Sequence, residues 1–349
     1  MRIAQVISRS GCSAGGSIQA LLLAKAIGER GHESVFASRG GECAKKAKEL
    51  GVEHRTLSMR WTPRGVVEFL MFSLRKDVLH AHKGKALSFC ILASWITGRV
   101  RVFANRGVSF PLSWSNRWKY RSRATRAVVC VSHGIRKELF LREGIEAEKL
   151  KVIYGCLPER LLDPVPCREA RERLSLPQNA LIVSLVGSFR PWKGHTLLAG
   201  AVGKIGAELT LLFAGKENPS ILERVKGVSG KRVVSLGYRE DVELVFAASD
   251  VVVNASTEGE GIPGVVREAM AQKKAVVVSD LEGNVELVRH GKTGVVYPAG
   301  EKDLLGRALK RLLFNPKRAR LMGANARKVA LRFTPEVRAK RAERLYLAG

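Results

Sequence analysis

Short apolar runs rich in Val, Ile and Leu recur along this chain, separated by stretches with helical spacing, in two successive series. The first series places strands at 3–7, 33–37, 54–57, 78–81, 100–105, 128–132 and 151–154. Helical spacing lies between them at 17–30, 44–50, 65–74, 87–97 and 134–143, with Ser17 the expected N-cap of the first helix and Gly31 its stop. The second series places strands at 181–186, 209–214, 233–236, 251–254, 275–279 and 295–297. Residues 301–347 then read as helical, with breaks at Asn315-Pro316 and Thr334-Pro335. Strands that alternate with helices build βαβ units and a parallel sheet. The expected fold class is therefore α/β, with two doubly wound, Rossmann-like domains. The proline-rich stretch 157–177 is the best linker, which bounds the domains at 1–160 and 161–330 and leaves 331–349 as a closing helix. Ligands of such sheets bind beyond the carboxyl ends of the strands, so the expected active site lies in the interdomain cleft.

The loops after strands hold the unusual residues. The most informative is Thr257-Glu258-Gly259-Glu260-Gly261-Ile262-Pro263-Gly264-Val265-Val266-Arg267-Glu268, which runs from a glycine- and carboxylate-rich loop into an apolar helix. Pro263 suits a first helical position, where its missing N–H is not needed. The free N–H groups of a helix start attract phosphate. Glu260 and Glu268 cannot bind phosphate, but carboxylates accept hydrogen bonds from sugar hydroxyls. A phosphate cradle between two hydroxyl acceptors points to a sugar nucleotide. A second loop, Gly187-Ser188-Phe189-Arg190-Pro191-Trp192-Lys193-Gly194, brings two cations after another strand. Near the start, Gly15-Gly16 precede a helix and permit close approach of a ligand to the backbone, though the spacing is not the dinucleotide fingerprint. His80 and His82 share one face of a strand, and Arg106 follows the next.

These segments resemble the glycosyltransferases of family 4, retaining enzymes of the GT-B fold. The Glu260–Glu268 pair is similar to the family's E-x7-E signature, and the loop from Gly187 to Gly194 to its G-R-x-x-x-x-K-G loop. The resemblance implies that Glu260 contacts the donor sugar and Glu268 the ribose. It places Lys193 on the donor diphosphate, with Arg190 as the second cation because Ser188 stands at the usual arginine position. It also assigns Gly15, Gly16, Gly187, Tyr238, Gly261, Ile262, Pro263, Gly264 and Val265 to donor binding, and His82 and Arg106 to the acceptor side. The closing helix is expected to pack back on the first domain. No D-x-D pair occurs, so Lys, Arg and a helix start are expected to neutralise the leaving diphosphate, with no metal and no cofactor. Two other readings stay open: a nucleotide-sugar epimerase or phosphorylase of the same fold, and a basic nucleic-acid-binding α/β protein.

The formal net charge of +28 favours polyanionic surroundings. It is uneven: residues 1–150 hold 27 Lys and Arg against 11 Asp and Glu, residues 201–300 hold 12 against 13, and residues 301–349 hold 14 against 4. The segment 110–126 mixes Phe110, Trp114, Trp118 and Tyr120 with five basic residues, a pattern that suits an anionic membrane interface, single-stranded nucleic acid or an inward-packed helix. An anionic membrane surface is the preferred macromolecular partner, with nucleic acid second. Six scattered cysteines without a C-x-x-C pair fit a reducing cytoplasm. The start reads as a strand rather than a signal peptide, and no apolar stretch is long enough to span a bilayer. The expected setting is cytoplasmic, peripheral on the inner face of the cytoplasmic membrane. The expected role is sugar transfer to a hydroxyl of a glycan or glycolipid in envelope synthesis.

Overall fold

The computed structural model describes residues 1–12 and 15–348 and divides into two compact units. Unit 1 comprises Met1–Cys156 with the segment from Phe333 onward, and unit 2 comprises Leu157–Arg332.

In unit 1 the chain runs β1 (Arg2–Val6), α1 (Gly15–Gly28), β2 (Glu33–Ser38), α2 (Glu42–Glu49), β3 (Glu53–Thr56), α3 (Pro63–Ser73) and β4 (Val78–Ala81). It continues through α4 (Gly84–Thr97), β5 (Arg101–Arg106), α5 (Trp114–Arg121), β6 (Thr125–Cys130), α6 (His133–Leu141) and β7 (Leu150–Val152). The strands form one sheet in the order β3-β2-β1-β4-β5-β6-β7, all pairs parallel. Central strands such as β4 are buried along their length, as a sheet covered on both faces requires. The edge strand β3, Glu-His-Arg-Thr, is largely exposed.

In unit 2 the order is α7 (Cys167–Arg173), β8 (Leu181–Val186), α8 (His195–Gly203), β9 (Leu209–Ala214), α9 (Pro219–Ser229), β10 (Arg232–Ser235) and α10 (Val242–Ala248). Then come β11 (Val251–Asn254), α11 (Gly264–Ala271), β12 (Ala275–Ser279), α12 (Glu282–Val285), β13 (Gly294–Tyr297), α13 (Lys302–Leu313) and α14 (Pro316–Ala330). Its parallel sheet runs β10-β9-β8-β11-β12-β13. The valine runs of β11 and β12, both inside the edge strand β13, are buried throughout.

Both sheets reverse direction beside their first strand, between β1 and β4 in unit 1 and between β8 and β11 in unit 2. A crevice opens at such a switch point, because the two following loops leave toward opposite faces.

Three expectations need correction. Helix α1 starts at Gly15, so Ser17 lies inside it, and its hydroxyl donates to the Gly11 carbonyl at 3.5 Å instead of capping. Pro263 flanks α11 as its N-cap residue with ψ 118°, and Gly264 is the first helical residue. Residues 157–177 are packed structure, not a free tether. Arg171 of α7 is buried, donating to the Ala248 carbonyl at 3.0 Å and to Asp250 at 3.0 Å, which docks α7 on α10.

The last helix, α15 (Pro335–Ala348), joins unit 1. Its Tyr346 is fully buried against Ile3, Val78 and Phe103. No helix among the described residues is long and apolar enough to cross a membrane.

Candidate active site

In unit 2, the loops after β8 and β11 are bound to each other at the switch point. The Thr257 N–H donates to the Trp192 carbonyl at 2.8 Å. Gly194, at φ +76°, closes the short turn Pro191–Lys193, and a Cβ there would stand 2.1 Å from the Ala255 carbonyl oxygen. Only glycine satisfies both that backbone conformation and that contact. This turn sets Lys193 opposite Glu260, a residue 67 positions away, with Nζ to Oε1 at 2.5 Å.

Glu260 is fixed from its own side as well. The Ser256 hydroxyl donates to Oε1 at 2.6 Å. The Ser279 hydroxyl donates to the Ser256 carbonyl at 2.6 Å, and the buried Asn284 amide donates to Ser279 at 3.0 Å. Gly283 of α12 lies so close that a Cβ would overlap the Gly261 carbonyl at 1.4 Å. A carboxylate supported this way keeps one orientation, and only 9% of its side chain is exposed. Ser256, Ser279, Asn284 and Gly283 are common residue types, and only their partners in space give them a role. The one sequence hint is that Ser256 lies four residues before Glu260 in the same loop.

Beyond Gly261, the loop enters α11. Ile262 and Val265 are half-buried and Pro263 is buried; as the N-cap residue, Pro263 offers no side-chain hydrogen bond to the first-turn N–H groups. Glu268 folds back over this turn: a Cβ on Gly264 would lie 3.2 Å from its Oε1. Burial pushes the Glu268 carboxyl above the ordinary glutamate range, opposed by the neighbouring Arg267 and Arg160. Arg190 is exposed and lies over the Trp192 ring at 5.9 Å, so the structure does not bring it to the Lys193–Glu260 pair. Gly187 and Tyr238 belong to the same cluster of strand-end loops. The Gly187 carbonyl would be 2.1 Å from a Cβ on Gly215, and the Gly215 N–H donates to the Gly237 carbonyl at 2.7 Å. Tyr238, the next residue, is half exposed.

In unit 1, Gly15 and Gly16 are exposed at the start of α1, and a Cβ on Gly16 would meet the Lys83 amine at 3.8 Å. Lys83 is a cation that sequence reasoning missed. Burial holds its ammonium below the usual lysine range, helped by the like charges of Arg9 and Arg106. Arg106 is tethered to the Phe110 carbonyl. Three cations therefore stand near one another at the carboxyl end of this sheet. His82 is buried, not open, and its Nε2 pairs with Gln5 Oε1 at 2.8 Å. Desolvation holds its imidazole well below the ordinary range. His80 Nδ1 meets the Tyr346 hydroxyl at 2.6 Å, so both histidines belong to an internal network.

Two family profiles match the chain, one described as Glycosyltransferase Family 4 over residues 13–158 and one as Glycosyl transferases group 1 over residues 180–315. The lipopolysaccharide core biosynthesis glycosyltransferase LpsE of Rhizobium meliloti is 34% identical over 155 residues, which are 43% of this chain and 45% of that protein. The N-acetyl-alpha-D-glucosaminyl L-malate synthase of Bacillus anthracis is 26% identical over 265 residues, 72% of this chain and 69% of that protein. Anabaena HepE, solved with UDP and glucose, has a TM-score of 0.87 at 22% identity, with all of both chains covered.

Proposed function

The chain belongs to glycosyltransferase family 4 and has the GT-B fold, and on that premise we propose that it transfers a sugar, with retention, from a nucleoside diphosphate to an acceptor hydroxyl. The observation that carries this reading is the Lys193–Glu260 pair in the loop that enters α11 through the N-cap Pro263. Lys193 and the α11 N–H groups take the diphosphate, with Arg190 as an auxiliary cation free to leave the Trp192 ring. Glu260, held by Ser256, accepts hydrogen bonds from the donor sugar, and Glu268 from the ribose.

The acceptor oxygen attacks the anomeric carbon from the face that the diphosphate leaves. The bond to the phosphate oxygen breaks, and that oxygen takes the acceptor's proton. Charge developing on it is stabilised by groups already in place, the usual source of the largest catalytic term. The proposal needs no divalent ion. Lys83, Arg9 and Arg106 in unit 1 suit an acceptor that carries an anionic group. Together with the similarity to LpsE, this supports a phosphorylated envelope glycan or glycolipid as acceptor. A cytoplasmic enzyme resting on an anionic membrane follows from the same reading.

Calorimetric titration with UDP, GDP, ADP and their glucose conjugates tests it. One nucleoside diphosphate should bind without added metal, and its sugar conjugate should be hydrolysed or transferred in EDTA. No binding by any of them, or activity abolished by EDTA and restored by magnesium, would refute the donor reading or its metal independence respectively.

A further inference from the structure

A second recess lies in unit 1 along the edge strand β7, a cavity of about 500 Å³ between α6 and α15. That is the size of a small-molecule site. Its lining includes the buried Leu150 and Ile153 and the half-buried Val152, from both faces of the edge strand. Its walls are cationic. Arg136 comes from α6, Lys151 from β7, and Arg341 and Arg344 from α15. Positions 341, 344 and 345 share one face of a helix, as do 133 and 136. The helices therefore aim these faces into the recess by their ordinary spacing.

The acidic residue of that part of α15 is directed elsewhere: Glu343 holds Arg30 and His32. No carboxylate lines the cavity, and none of its four cations forms an ion pair among the described residues. Four uncompensated positive charges around an apolar floor create a local potential that selects an anion with a hydrocarbon part. Arginines match phosphate oxygens with paired N–H donors. A bare phosphate would leave the floor wet. A neutral lipid would cover the floor and leave the four exposed cations without an anionic partner.

We propose that this edge cavity is a binding site for a phosphate-bearing lipid, distinct from the loops that carry Lys193 and Glu260. The site does not depend on the donor reading, because every lining residue belongs to unit 1.

The test is calorimetric titration of the full chain with a short-chain phosphatidic acid held below its micelle concentration. The matched diacylglycerol and inorganic phosphate serve as separate ligands. The phosphatidic acid should bind; the diacylglycerol, which lacks the charged contact, and inorganic phosphate, which lacks the apolar one, should each bind at least about tenfold more weakly. Arg136→Glu with Arg344→Glu should weaken phosphatidic acid by at least the same factor of about ten and leave nucleoside diphosphate binding unchanged. Both arginines are exposed, and a thermal melt checks that the variant folds. On the unmodified protein, a photoactivatable phosphatidic acid should label peptides spanning 147–153 or 341–345. Inorganic phosphate binding as tightly as the lipid would overturn the proposal, as would equal binding of the neutral lipid, an indifferent double variant, or labelling confined to other peptides.

Discussion

Lys193 depends on constraints that begin outside its own loop. Gly194 closes the turn because Ala255 leaves room for no side chain, and the ammonium then meets a glutamate already fixed by Ser256. Glu260 neutralises Lys193, so under the proposed function an arriving diphosphate has to draw the ammonium away or share it. Replacing Lys193 by Ala should lower kcat by about 10²–10³, the loss typical of one preorganised donor to developing charge. The circular dichroism spectrum should stay that of the parent, because the side chain is partly exposed. Turnover within about twofold of the parent, far short of that expected loss, would remove Lys193 from the mechanism. Glu268→Ala should weaken the free nucleoside diphosphate, whereas Glu260→Ala should spare that affinity and reduce transfer; calorimetry showing the reverse would exchange the two roles. Lys193 and Glu260 were legible in the sequence because each follows an apolar strand in a loop of unusual composition. Their ion pair was not, since β8 and β11 are neighbours only through a strand order that skips β9 and β10. Lys83 was missed for a related reason: it sits in an ordinary strand-end turn and gains meaning only from Gly16, Arg9 and Arg106.

Helix α15 shows how an element with a plain pattern can depend on partners far away in the chain. Its helical spacing was legible, but beside its apolar packing on β1 and β4 it makes polar contacts that periodicity ignores. The Tyr346 hydroxyl accepts from Gln5 Nε2 at 3.2 Å and pairs with His80 Nδ1 at 2.6 Å, while Arg338 donates to Gln19 Oε1 at 3.0 Å. Tyr346→Phe keeps the ring among its apolar neighbours and strands the buried Gln5 and His80 groups. It should cost about 1–3 kcal/mol in denaturant unfolding, the desolvation penalty of unsatisfied buried groups. An unchanged midpoint would mean that the hydroxyl contributes nothing to docking. The same network sets a pH dependence. Burial and then the nearby Arg338 push His80 down to about 3 from the ordinary 6.5, and His82 is lowered in the same direction. A histidine depressed on folding contributes stability that is complete above the unfolded value and is lost as pH falls toward the folded one. Unit 1 should therefore weaken progressively from about pH 6.5 toward pH 3, and His80→Asn should flatten that acid slope in thermal melts. A slope that persisted unchanged in the variant would assign the acid sensitivity to other groups.

At the scale of the whole chain the dominant quantity is charge, and the structure divides it differently from the sequence order. Unit 1 holds 32 Lys and Arg against 13 Asp and Glu, and unit 2 holds 28 against 19. Helices α13 and α14, counted in sequence with the basic end, belong to unit 2, so only the segment from Phe333 onward adds its charge to the first unit. Helix α5 is the most conspicuous place for that charge to meet a membrane. Trp114 is 83% exposed, Trp118 stacks with Trp95 at 6.2 Å, and Trp95 itself is 61% exposed. Its arginines are not equivalent, however. Arg117 pairs with the buried Glu143 at 2.7 Å and Arg121 donates to the Glu143 carbonyl at 2.8 Å, so both hold the fold. Just beyond the helix, the exposed Arg123 and Arg126 make no ion pair among the described residues, and each basic residue near an anionic bilayer contributes roughly 1 kcal/mol. Vesicles rich in anionic lipid should therefore bind the protein and shift its tryptophan emission. Binding should fade at about 1 M salt, where screening shortens to about 3 Å. Arg123→Glu with Arg126→Glu should weaken that binding without changing nucleoside diphosphate affinity. Equal binding to neutral and anionic vesicles, or none to either, would end the membrane reading. Tight salt-sensitive binding of RNA in place of vesicles would assign the charge to a nucleic acid instead.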